Sequence, residues 1–147
     1  AWRRACDEGT AFRNLRLLAR ILNDTLEADI VRADVFLEWR DAIQGLSKSE
    51  LVFAATLLRH ERKAAQTHKE PHHMHARAMR ATRDELIGPK RVFATKSDFE
   101  SAGFSLGRTG LVVPFAFRET AEFCTTPKME RLAEIALCDN KAWPDDI

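Results

Sequence analysis

The sequence predicts a mainly helical single domain carrying a small β-hairpin, with four helices before the hairpin and one after it. Three observations carry this reading. Apolar residues recur at three- and four-residue spacing through the first ninety positions, as one buried helical stripe requires. Pro71 and the pair Gly88-Pro89 then punctuate that region, and beyond Pro89 the composition turns β-rich in "GLVVPFAF".

Thr10 precedes "AFRNLRLLARILNDTLEADIV", in which Phe12, Leu15, Leu18, Ile21, Leu22 and Leu26 form one stripe and Arg13, Arg16 and Arg20 fall on the other side. In "ADVFLEWRDAIQGL", Val35, Phe36, Trp39 and Ile43 line one side of a second, shorter helix. Asp34 suits its first turn, and Gly45 is expected in the left-handed conformation after its end. Ser47 and Glu50 have capping-box spacing, which opens a third helix, "ELVFAATLLRHERKAAQ", with Leu51, Val52, Ala55 and Leu58 as expected core. Pro71 would remove a hydrogen bond inside that helix but fits the first turn of the next, so the chain breaks near Lys69. The fourth helix runs through "HHMHARAMRATRDELI" to Gly88 and Pro89.

"RVFA" is expected as a short strand and "TKSDFESAG" as a short helix, with Thr95 and Asp98 at box spacing. "GLVVPFAF" and "EFCTT" form the hairpin, with Pro114 on an edge strand. Thr126 and Pro127 open the last helix, "PKMERLAEIAL". The subdivision is thus a helical hairpin over 1–46, a core over 47–138 and a loose tail over 139–147 from which Trp143 docks.

The bulk numbers set the class. With 147 residues, 45% hydrophobic and 31% charged, the chain is long enough to bury a core without disulfides or metal. No apolar run approaches the roughly 20 residues of a membrane crossing, and "AWRRACDEGT" lacks the apolar centre of a signal peptide. A cytoplasmic location and no membrane partner are the expectation. Cys6, Cys124 and Cys138 form no CxxC pair and are expected as reduced packing thiols.

Nothing points to catalysis. "SLGRTGL" lacks the Lys-Ser/Thr ending of a phosphate loop, there is no G-x-S-x-G elbow, and the adjacent carboxylates Asp7-Glu8 and Asp145-Asp146 do not share a helix face. A non-enzyme with no cofactor and no small-molecule substrate is expected.

Charge is the more informative signal. The net charge is +1, yet residues 57–91 hold 9 basic and 4 acidic side chains, while the flanks together are at −4. Arg59, Arg62, Lys63, Arg77, Arg80, Arg83, Lys90 and Arg91 are therefore candidates for phosphate contacts, with His73, Arg77, Arg80 and Asp84 in one stripe. The alternative is a solvated face laced with pairs such as Arg80 with Asp84. "THKEPHHMH" adds histidines whose protonation raises this charge below about pH 6.5. His68, His72 and His75 are the candidate ligands if the cluster binds metal, although no HExxH and no cysteine adjoins them in sequence.

"LSKSELVFAATLLRH", "SLGRTGLVVPFAF" and "EFCTTPKMERLAEIA" together resemble a winged-helix module, in which a helix ending Leu-x-x-x-Gly-Leu-Val runs into a two-stranded wing. Leu106, Gly110, Leu111 and Val112 match that pattern. More narrowly, residues 30–60 and 98–138 are similar to bacterial helical proteins of the Abi-alpha (abortive infection) type. The resemblance implies a wing packed on helices and a binding role toward DNA, RNA or protein, and it adds Arg108 as a contact beside the wing. Gly103 and Gly107 depart from it, each interior Gly costing about 0.5–1 kcal/mol relative to Ala, so that helix is expected to be short or broken. Three roles stay open: nucleic-acid association through the basic region, protein interaction or self-association through the N-terminal helix, and metal binding by the histidines.

Overall fold

The computed structural model describes residues 33–117 and 121–137. Helices α1 (Ala33–Gln44), α2 (Lys48–Ala65), α3 (Pro71–Leu86) and α4 (Lys96–Gly107) precede a two-stranded antiparallel sheet of β1 (Val112–Phe117) and β2 (Ala121–Thr125), and α5 (Pro127–Leu137) follows. This is the expected layout of helices, hairpin and closing helix. The N-terminal helix expected over 10–31, the hairpin tip and the tail with Trp143 lie outside the described residues.

Local chemistry explains most boundaries. Glu50 N–H donates to Ser47 Oγ at 3.2 Å and Ser47 N–H donates to Glu50 Oε2 at 2.8 Å, closing the box that starts α2. Pro71 is the first residue of α3, and Pro127 follows the Thr126 turn that opens α5. At α4 the box is incomplete. Thr95 Oγ1 accepts from Asp98 N–H at 3.1 Å but donates to Asp98 Oδ2 at 2.8 Å, so the carboxylate binds the hydroxyl rather than the backbone.

Helix α2 is central. Leu51, Phe53, Ala54, Ala55, Thr56, Leu57, Leu58, Glu61 and Ala64 are all buried, so it is covered over far more than the one stripe its apolar spacing suggests. It packs against α3, α4, β2 and α5. Trp39 and Ile43 of α1 join the core, and Lys128 ties α1 to α5 by bonding Glu38 at 3.2 Å with its ammonium 5.3 Å from the Trp39 ring centre.

Three sequence expectations are corrected. Gly45 does not adopt the left-handed conformation: Leu46 N–H bonds Ile43 O at 3.0 Å, a turn that needs no positive φ. "RVFA" is no strand, because the turn at 88–91 brings Phe93 straight back to Ile87 and leaves room for one bridge only. Finally, α4 runs unbroken through Gly103.

Gly103 is there because nothing larger fits. A Cβ at that position would lie 2.7 and 2.8 Å from atoms of the Phe123 ring, which is fully buried. Gly110, at φ 74°, supplies the left-handed turn between α4 and β1. In the sheet, Val112 pairs Thr125, Val113 pairs Cys124 and Pro114 pairs Phe123, after which Phe115 is an extra residue bulged out of register.

Gly103→Ala gains about 0.5–1 kcal/mol of helix propensity but overpacks against Phe123 at about 1–3 kcal/mol. A fall in the urea midpoint is the expected result. An unchanged or raised midpoint would show that the ring yields.

Candidate nucleic-acid interface and a mixed-donor cluster

The basic residues of α3 come together. His68, His73, Arg77, Arg80 and Arg83 line one groove of about 590 Å³ together with Asp84 and Glu122. The helical period explains the set, since positions 73, 77, 80 and 84 recur every three or four residues. Arg77 also lines a second groove of about 320 Å³ with Lys63 and His60, between α2 and α3.

The remaining candidates are used differently. Arg59 donates to Glu85 Oε1 at 2.5 Å while His60 Nε2 meets Glu85 Oε2 at 2.7 Å, and Arg62 donates to Glu130 at 2.5 Å. Arg83 is half-buried, donates to Ala121 O at 3.2 Å and lies 3.8 Å from Glu122. Arg91 caps α3, donating to the Asp84 and Glu85 carbonyls. Arg108 sits at the C-terminal end of α4 and donates to Ser105 Oγ at 3.1 Å. Among the described residues, Lys63, Arg77, Arg80 and Lys90 have no ion-pair or hydrogen-bond partner for their side chains.

Lys90 occupies the third position of the Gly88-Pro89-Lys90-Arg91 turn at φ 63°, closed by Arg91 N–H to Gly88 O at 3.1 Å. That geometry favours Gly or Asn.

The histidines do not converge on a common point. Among the described residues, the one group of three or more His, Cys, Asp or Glu donors within 4.8 Å of one another is Glu61, His75 and Cys124. His68 Nε2 is buried without a hydrogen-bond partner, and His72 leans on the Phe115 ring, 5.9 Å between centroids. Of the candidate ligands His68, His72 and His75, only His75 falls in such a donor group; His68 precedes α3, and the Phe115 ring lies 5.5 Å from that of His75.

Glu61 was not a candidate from sequence, where one acid in a basic run reads as solvated. Its side chain is 7% exposed and accepts hydrogen bonds from Thr125 N–H at 3.0 Å and from Thr125 Oγ1–H, with His75 Nδ1 3.0 Å from Oε1. Cys124 was expected as inert packing, and β2 carries it to this carboxylate. Burial pushes its thiol up, and the neighbouring Glu61 charge adds to that. Cys6 and Cys138 lie outside the described residues.

Burial alone raises Glu85, but the hydrogen bonds and charges of Arg59 and His60 outweigh it and hold its carboxyl below the ordinary range. A depressed carboxylate contributes stability above its unfolded pKa and loses it as pH falls through the folded value. The urea-midpoint difference between the parent and Glu85→Gln is therefore expected to shrink on acidification, and a gap independent of pH would refute the coupling. Lys90→Gly is expected to raise stability by about 0.5–1 kcal/mol by relieving the left-handed backbone, less the added chain entropy; thermal unfolding reads it, and a lowered Tm would contradict the strain.

No helix among the described residues is long and apolar enough to cross a membrane. No family model, curated protein or solved structure matches this chain.

Proposed function

We propose that this chain is a non-enzymatic, winged-helix-like protein that associates with nucleic acid by holding phosphates along α3. The observation that carries the reading is the pair Arg77 and Arg80: they line one groove and have no acidic partner among the described residues, whereas Arg59 and Arg62 on α2 are paired. Unpartnered guanidiniums one helical turn apart suit successive phosphate oxygens, and Lys63 extends the positive surface toward α2.

The exposed face of α4 is mixed, with Lys96 beside Asp98 and Ser101, and offers little attraction of its own to a polyanion. Base reading by α4 is therefore a small part of the proposed binding, which is dominated by backbone charge. Asp84 and Glu122 in the same groove would repel a phosphate near them and confine the strand to the Arg77–Arg80 side.

Electrophoretic shifts against mixed single- and double-stranded DNA and RNA test the proposal. Binding is expected at about 50 mM salt and weakens steeply as salt rises. Arg77→Ala with Arg80→Ala should lower the slope of log K against log salt by about 2 and reduce affinity without regard to sequence. Absence of any shift at low salt, or an unaltered slope in the double variant, would sink it.

A further inference from the structure

We propose that Glu61, His75 and Cys124 form a site for one Zn²⁺-type transition-metal ion, independent of the basic groove. A carboxylate oxygen, an imidazole nitrogen and a thiol sulfur arrive from three elements, α2, α3 and β2, with all three donors within 4.8 Å of one another. Tetrahedral zinc with bonds of about 2.0–2.3 Å holds its ligands about 3.5 Å apart. His75 Nδ1 already lies 3.0 Å from Glu61 Oε1, so an ion would replace that hydrogen bond and open the pair slightly, while donors as far as 4.8 Å apart would close by roughly 1 Å through side-chain rotation.

The donor chemistry suits such an ion. Thiolate and carboxylate together carry the two negative charges that balance Zn²⁺, and a neutral imidazole completes three ligands. The thiol proton passes to solvent on coordination and no electron is transferred. In the protein alone the arrangement is electrostatically awkward, since burial and the Glu61 carboxylate both disfavour the Cys124 thiolate. A cation between them reverses that sign.

The surroundings are built as an outer shell. Thr125 grips Glu61 through both its N–H and its hydroxyl, and the Phe115 ring lies beside His75. A groove of about 510 Å³, lined by Glu61, His75, Thr125 and Glu130 among others, adjoins the cluster and gives water access to a fourth position. An ion here would fasten β2 to both α2 and α3.

Titration of the full chain with Co²⁺ tests the site, because a thiolate ligand produces a near-ultraviolet charge-transfer band that a histidine-only surface site does not. One equivalent of Co²⁺ is expected to develop the band and one equivalent of Zn²⁺ to abolish it. Cys124→Ser, with helical circular dichroism retained, should remove the band. His75→Ala should weaken binding at least about tenfold, as loss of one of three protein ligands does, while His68→Ala with His72→Ala leaves the titration unchanged. No thiolate band in the parent would overturn the assignment. So would a band that persists in Cys124→Ser, which would place the ligand at Cys6 or Cys138, or an affinity indifferent to His75.

Discussion

The rest of the structure depends on the ring of Phe53. From the middle of α2 it meets Phe99 of α4 at 4.5 Å between centroids, Phe123 of β2 at 6.1 Å and Phe93 of the connecting turn at 6.2 Å. Two of those contacts are edge-on, at 83° and 80°, the geometry in which the positive rim of one ring meets the negative face of another. A single buried Phe contributes about 1.5–3 kcal/mol by leaving water. Here four of them share surfaces, so the turn, α4 and the hairpin all take their positions from one side chain on α2. Gly103 is the geometric consequence: α4 must approach Phe123 closely enough that its backbone replaces a side chain.

Around this apolar centre, acidic residues decide which surface cations are paired. Glu85 and Glu130 engage Arg59 and Arg62, and the α3 carbonyls take Arg91. Exposed pairs of this kind contribute only about 0–1 kcal/mol each. Their larger effect is selective, since they pair Arg59 and Arg62 and leave Lys63, Arg77, Arg80 and Lys90 as unpaired charge among the described residues. Glu61 works inward instead, joining α2 to β2 through Thr125 and to α3 through His75. A buried carboxylate that ties three elements together is costly unless its lone pairs are used, and Thr125 and His75 meet that requirement here.

The element order was legible in the sequence because its signals are local. Ser47 with Glu50, Pro71, and Thr126 with Pro127 act within one turn of the helices they open, and the β-rich apolar run "GLVVPFAF" marks a strand by composition. The basic stripe of α3 was legible for the same reason, since helical periodicity alone puts 73, 77 and 80 on one side. The errors came where a signal needed a partner. "RVFA" has strand-forming residues but no neighbouring strand to complete a ladder, and Gly103 looks like a helix breaker until Phe123 is placed against it. His68, His72 and His75 are close in sequence, yet their ring nitrogens do not gather into one donor group.

What the sequence by itself determined is therefore the order of helices and hairpin among the described residues, the starts of α2, α3 and α5, and the face on which α3 carries its arginines, all consequences of covalent neighbours and helical geometry. Only the tertiary structure decided which arginines remain without partners, and that a glutamate at 61, a histidine at 75 and a cysteine at 124 converge. Those residues are 14 and 49 positions apart along the chain. Their meeting depends on the packing of α3 and β2 against α2 and against each other, which no periodicity within a single element encodes.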